Sequence, residues 1–190
     1  STYEDKLALE GYEVQRLVQD FLLKTPEAGS FSFEKTFTTV EGLYAQADII
    51  CENDDGTVNI YEVKSAGNID NTHLIDATFQ TVTVENSGLK VNAVYIVHLN
   101  KEYVGAGALE VDKMMSFSLV TEQVKGLMEE TVESIKSALA FLNKKEIDET
   151  SCSCLLLSKS HHCETFDYFN PKVPKPSIYN LPRLHKNKIL

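Results

Sequence analysis

The sequence predicts an α/β domain with a mixed central β-sheet flanked by helices. Three observations predict it. Residues 5–24, 70–87 and 121–142 carry apolar side chains at helical spacing, residues 31–37 alternate, and apolar runs at 47–50 and 58–63 flank Asn53-Asp54-Asp55-Gly56. An Asp-Gly pair between apolar runs marks a hairpin because it tolerates the positive φ of a tight turn.

Taken in order, the first helix runs from about Asp5 to Lys24, with Leu7, Leu9, Val14, Leu17, Val18, Phe21 and Leu22 near one stripe. Phe31, Phe33 and Phe37 alternate with Ser32, Glu34 and Thr36 as a first strand, whose apolar face includes the polar Lys35. The hairpin follows. Asp70–Ser87 reads as a helix with Leu74, Ile75, Phe79 and Val82 as its apolar stripe and Gly88 as its stop. Asp76, Gln80 and Thr83 form a polar stripe that would ordinarily face water. Val91–His98 is the most apolar strand and is expected at the centre of the sheet. His98 closes it, as a ligand or as hydrogen-bonded structure. Ser116–Thr121 forms another short strand, and the last long helix buries Val124, Leu127, Met128, Thr131, Val132, Ile135, Leu139 and Leu142.

At 190 residues and 43% hydrophobic the chain has enough apolar content for one ordinary core. It has no run of 18 apolar residues and no signal peptide, so a soluble, cytoplasmic protein without a membrane partner is expected. It begins with Ser, and a fragment of a longer protein is expected, with an additional domain or protein partner. The net charge of −10 argues against a simple nucleic-acid binder. Charge is unevenly spread, however. Residues 1–150 carry 12 basic and 26 acidic side chains, and residues 151–190 carry 6 and 2. The basic end is able to supply phosphate contacts.

Side-chain alternation puts Glu62 and Lys64 on one face of the second hairpin strand, with Val63 on the other. Antiparallel pairing brings Asp48 across from them. Two carboxylates are hard ligands of the kind Mg²⁺ or Mn²⁺ takes, and a neighbouring lysine positions water or offsets charge on a scissile group. A solvated Glu–Lys pair on an edge strand would need no chemistry at all.

The spacing D-x13-E-x-K, followed by Asp76-Ala77-Thr78-Phe79-Gln80, Val97-His98-Leu99-Asn100 and Tyr103-Val104, resembles the PD-(D/E)XK nuclease superfamily. The similarity is to its RecB-like branch, in an uncharacterised bacterial group similar to the CRISPR-associated RecB-like exonucleases. It runs from Gly11-x-Glu13-Val14 to Ile178-x-x-Leu181-Pro182-Arg183. The resemblance implies a restriction-endonuclease-like core over residues 1–150 and a metal-dependent DNA exonuclease acting on single strands or ends. Asp48, Glu62 and the Val63 carbonyl would hold Mg²⁺ or Mn²⁺, Lys64 would serve catalysis, and Gln80, on a helix lying over the site, would touch water or DNA. In that branch the first helix often carries G-x-x-x-H. Here Gln15 stands at that offset from Gly11, and Glu13 is the candidate supporting ligand. Two other functions remain open: a non-catalytic nucleic-acid-binding or assembly module, and a hydrolase of small phosphates or nucleotides.

Residues 151–190 form a cysteine-cluster segment with a basic, proline-rich tail. Cys152-x-Cys154-x8-Cys163 is not a standard zinc-finger spacing, yet clustered thiols in an intracellular protein favour a metal, Zn²⁺ or iron–sulfur, over disulfides. The resemblance implies a 4Fe–4S cluster that staples the C-terminal segment to the core with one upstream and three downstream cysteines. The fourth ligand is left open among Cys51, His161, His162 or none. Lys172, Lys175 and Arg183, interleaved with Tyr179, are candidate nucleic-acid contacts, the tyrosine as a stacking surface.

Overall fold

The computed structural model describes residues 3–25, 30–105, 110–146 and 152–181, and only the backbone of residues 3–10. The chain divides into two units, Ser1–Ala138 and Leu139–Leu190. The first is α/β, with a five-stranded mixed sheet flanked by helices, and the cysteine group belongs to the second.

In the first unit, helix α1 (Tyr3–Leu23) precedes strands β1 (Ser30–Thr38), β2 (Tyr44–Glu52) and β3 (Thr57–Lys64). Helix α2 (Asn71–Asn86), strand β4 (Lys90–Leu99), the single turn α3 (Val111–Met114), strand β5 (Met115–Leu119) and helix α4 (Thr121–Leu142) follow, α4 running on into the second unit. The strands lie in chain order, antiparallel except for the parallel pair β3 and β4. That one parallel pair requires a crossover, which α2 supplies. Strand β3, not β4, is therefore the middle of the sheet. The hairpin forms where expected: Gly56 has φ +79°, and the Gly56 N–H donates to the Asn53 carbonyl at 3.0 Å.

Val18 and Leu22 of α1 cover one face with Ile49, Val97 and Met115. Ala77 and Val84 of α2, with Val120 and Val124 where α4 begins, cover the other over Ile50, Ile60, Val94 and Ile96. Ile49, Ile50, Ile60 and Ile96 are wholly buried, each contributing about 1.5–3 kcal/mol of transfer free energy. This clamps β2 and β3 from both sides and makes β3 a rigid platform.

Helix α2 buries only part of the stripe expected of it: Val82 is buried and Leu74 packs against the core. Ile75 is 47% exposed, while Ala77, Thr78, Gln80, Thr81, Val82, Thr83 and Val84 are buried. The reason is that threonine satisfies itself within a helix. The Thr78, Thr81 and Thr83 hydroxyls donate to the carbonyls of Leu74, Ala77 and Phe79 at 2.6, 2.7 and 2.9 Å, so no hydroxyl is stranded. Asp70 caps the helix, its carboxylate accepting from the His73 N–H at 3.1 Å. In α4, Val124 and Thr131 are buried, and Leu142 is exposed rather than part of a buried face.

The β1–β2 ribbon turns over part-way along. Phe31, Phe33 and Ile49 pack on the α1 side, whereas Phe37 and Ala47 pack on the α2 side. Residues an even number apart on a regular strand share a face, so the ribbon rotates between them. Phe33 pairs with Ile49 and Lys35 with Ala47, which brackets Glu34 and Asp48 at the rotation. Glu34 has φ +51°, a conformation that costs a residue with a Cβ about 1 kcal/mol or more.

The second unit is built from short turns and the four-residue helix α5 (Phe166–Phe169). His162 stacks on Phe166 with ring centroids 3.6 Å apart, and Tyr179 meets the His162 ring edge-on at 4.6 Å. The Tyr179 hydroxyl donates to the Leu155 carbonyl at 2.5 Å.

Candidate metal and catalytic site

The β2–β3 ladder runs from Glu52–Val58 to Ile49–Tyr61 and ends one step short of Asp48. Past that point the side chain replaces the backbone, with Asp48 Oδ2 accepting from the Val63 N–H at 2.8 Å. On β3, Glu62 and Lys64 project toward α2. Lys64 Nζ lies 2.7 Å from Glu62 Oε1 and 2.6 Å from Asp76 Oδ2. Gln80, two turns before the end of α2, donates from Nε2 to Glu62 Oε2 at 2.6 Å. Asp48, Glu62, Val63, Lys64 and Ser65 line an open recess of about 350 Å³ that Gly11, Tyr12 and Gln15 of α1 complete. A larger recess of about 590 Å³, between α2 and α4, is more apolar and shares only Asp76 with the ion-pair network.

The site is electrostatically tense. Burial pushes the Glu62 carboxyl up to about 7 from its ordinary 4.5, with the nearby Asp48 carboxylate adding to the rise and Lys64 opposing it. Burial likewise raises Asp48, against the Val63 N–H and Lys64, while Asp76 and Glu34 add to the rise. Burial pulls Lys64 down, but Glu62 and Asp76 outweigh it and hold the ammonium above its ordinary value. Lys64 is therefore charged, and the two neighbouring carboxylates lack enough positive charge between them.

This arrangement predicts a pH dependence of stability. Between about 4.5 and about 7 the folded state holds a proton on Glu62 that the unfolded chain has released. Protons bound in excess by the folded state make stability fall as pH rises. The melting temperature in chelator is expected to drop from pH 5 to pH 7.5, Glu62 contributing a few kcal/mol at most. Mn²⁺, by favouring the charged carboxylates, is expected to remove that drop. A melting temperature rising across this window in chelator would contradict the burial of Glu62.

Not every expected residue joins the recess. Glu13 is exposed and borders a separate surface hollow with Arg16, Leu17 and Asp20. At about 100° per residue, two positions turn the helix by about 200°. Gln15, rather than Glu13, therefore faces the carboxylates. His98 is engaged structurally, its Nε2 3.0 Å from Ser118 Oγ and its Nδ1 3.2 Å from the Leu99 carbonyl. Asp76 joins through Lys64, and Gln80 is 94% buried against Glu62 instead of facing water.

In the second unit the Sγ atoms of Cys152, Cys154 and Cys163 lie within 4.8 Å of one another, close enough to bind a metal such as Zn²⁺. Cys152 Sγ and Cys163 Sγ are 3.5 Å apart. The Thr165 hydroxyl, then the Cys154 and Cys152 thiols, pull Cys163 down to about 7, favouring the thiolate a metal requires. Cys51 is outside this group, buried in β2 between Phe31 and Asn59 of the neighbouring strands. Neither histidine falls within the group; His162 Nε2 is 3.0 Å from the Leu157 carbonyl, and His161 Nδ1 is 2.9 Å from Ser158 Oγ. The thiol group thus has three ligands among the described residues.

Lys172 is exposed, but Lys175 is paired with Asp167 at 2.6 Å, and Tyr179 packs into the unit's small core instead of offering a free stacking face. Arg183 lies outside the described residues. Among the described residues no helix is long and apolar enough to cross a membrane. Neither a family model nor a curated protein matches this chain.

Proposed function

We propose that this chain is a metal-dependent DNA nuclease, built on a restriction-endonuclease-like core and acting as an exonuclease on single strands or ends. The observation that carries the reading is the convergence of Asp48, Glu62, Val63 and Lys64 on one recess, with Gln80 hydrogen-bonded to Glu62. The donors suit Mg²⁺ or Mn²⁺. Two carboxylates and a carbonyl are hard oxygen ligands, and the only buried side-chain polar atom without a partner among the described residues is Gln80 Oε1.

Asp48, Glu62 and the Val63 carbonyl would hold the ion. When bound it supplies Lewis-acid stabilisation of charge on the attacked phosphate. The protein's own groups do the positioning. Asp48 is anchored by the Val63 N–H, which fixes its second oxygen at the recess. Lys64, held in place by Asp76, would offset the charge that develops on the phosphate as water adds and the ester oxygen leaves. Gln80 holds the Glu62 carboxylate in one orientation.

The test is digestion of end-labelled single- and double-stranded DNA with Mg²⁺ or Mn²⁺, comparing wild type with Glu62→Ala. Wild type is expected to yield a metal-dependent product ladder, and Glu62→Ala to lose at least about 100-fold in rate. Equal rates would sink the reading. One observation favours a second reading, hydrolysis of a small phosphate or nucleotide: the −10 net charge repels long polyanions. Nucleotides that are cleaved and that outcompete DNA would select it.

For the thiol group we propose Zn²⁺ or a 4Fe–4S cluster, with the three described cysteines as ligands.

A further inference from the structure

We infer that Tyr12 is a stacking platform for a nucleobase in the wall of the Asp48–Glu62 recess, selecting substrates that present an unpaired base; this inference rests on the nuclease reading of that recess. Helix α1 contributes Gly11, Tyr12 and Gln15 to the wall. Gln15 lies three residues after Tyr12 and four after Gly11, so the three share one side of the helix. Tyr12 is the single aromatic residue lining the recess, and it is 62% exposed. Among the described residues no ring contact, hydrogen bond or ion pair engages it. Its ring is open to a ligand.

A solvated tyrosine on a helix surface needs no ligand; this one differs by its place. Lys64 is the one cationic side chain lining the recess, against the carboxylates of Asp48 and Glu62, and the chain as a whole carries −10. Cationic contacts for phosphate are therefore scarce beside the metal site, and the overall charge repels a polyanion. An aromatic face holds a nucleobase without regard to charge, and it accepts any sequence because every base has a π-face. A base inside a duplex is covered on both faces by its neighbours, so a side chain stacks on one only at an end, in a single strand or after extrusion. Gly11 adds room. A Cβ there would meet nothing within 4 Å, so this glycine, which weakens a helix interior, answers no packing demand and leaves the backbone beside Tyr12 bare.

The experiment measures binding of an end-labelled oligothymidine strand, and of a strand of the same length without bases, by fluorescence anisotropy in Ca²⁺, which takes the same oxygen ligands. The full chain is used as wild type, Tyr12→Phe, Tyr12→Trp and Tyr12→Ala. Because the chain has no tryptophan, Tyr12→Trp installs a sole indole whose quenching reports stacking directly. Wild type, Tyr12→Phe and Tyr12→Trp are expected to bind the base-bearing strand alike, and Tyr12→Ala about 10-fold or more weakly. The strand without bases is expected to bind wild type and Tyr12→Ala equally, which lost folding would not produce. Tyr12→Ala should melt at or above the wild-type temperature, since alanine is the best helix former and the side chain it replaces is exposed. Wild type and Tyr12→Ala holding the base-bearing strand within twofold of each other, or an indole that this strand leaves unquenched, overturns this inference and leaves the nuclease reading standing. Base-dependent quenching in a protein that cuts nothing with Mg²⁺ or Mn²⁺ supports the platform and sinks the nuclease reading.

Discussion

Lys64→Met is expected to reduce metal-dependent DNA cleavage by about 10²–10³-fold, the range for removing one preorganised charge from a developing anion. The argument starts from geometry. Lys64 Nζ lies between Glu62 Oε1 and Asp76 Oδ2, so the ammonium is oriented before any substrate arrives. Methionine matches the length of the stem and removes only the charge. Its stability cost is pH-dependent. Glu62, only 4% exposed, loses its counter-charge, and stranding a buried charge costs up to about 3–5 kcal/mol. That cost is relieved at low pH, where Glu62 is protonated. The variant should therefore melt near wild type at pH 5 and well below it at pH 8. Asp76→Asn is the control: its side chain is 43% exposed, its ion pair is screened by water, and a loss of under about tenfold is expected. Lys64→Met cutting at more than a tenth of the wild-type rate, measured at a pH where it is fully folded, would remove Lys64 from the mechanism.

The parts of this site that could be read from sequence are those governed by local rules. Asp-Gly announced the hairpin, and strand alternation placed Glu62 and Lys64 together with no knowledge of the fold. Asp48 followed because antiparallel pairing is local too. What could not be read depends on partners far away in the chain. The α1 helix offers Glu13 and Gln15 on nearly opposite sides, and only the docked sheet decides which one sees the carboxylates. The α2 helix misleads in a different way. Its threonines look polar, so periodicity assigns Leu74, Ile75, Phe79 and Val82 to the core. Hydroxyls bonded back to the preceding turn are effectively apolar, so Thr78 and Thr83 are wholly buried beside Val82, while Ile75 is exposed. That rotation carries Gln80 onto Glu62. The turn of the β1–β2 ribbon was invisible for a third reason: a positive φ at Glu34 leaves no mark on the alternation of the strand.

Loss of metal from the thiol group is expected to unfold the second unit while sparing the first. Leu139–Leu190 is short of core: Phe166 is its one buried large apolar side chain among the described residues. Units that small depend on staples, and structural Zn²⁺ contributes about 10–16 kcal/mol of apparent binding free energy that becomes folding free energy. Protein purified without oxygen or chelator should carry about one Zn²⁺ or about four Fe per chain by elemental analysis. Cys154→Ser and Cys163→Ser should each lose it, and proteolysis should then cut within 152–181 while the β-sheet core survives. Cys51→Ser should retain the metal, because Cys51 is packed inside the sheet of the first unit. The Cys163 thiol at about 7 adds a sign. Below that pH protons compete for the thiolate, so affinity should fall steadily from pH 7.5 to pH 5.5. Metal-free wild type, or Cys163→Ser with a full complement of metal, would reduce the three thiols to chance neighbours. The second unit would then owe its fold to the His162, Phe166 and Tyr179 rings alone.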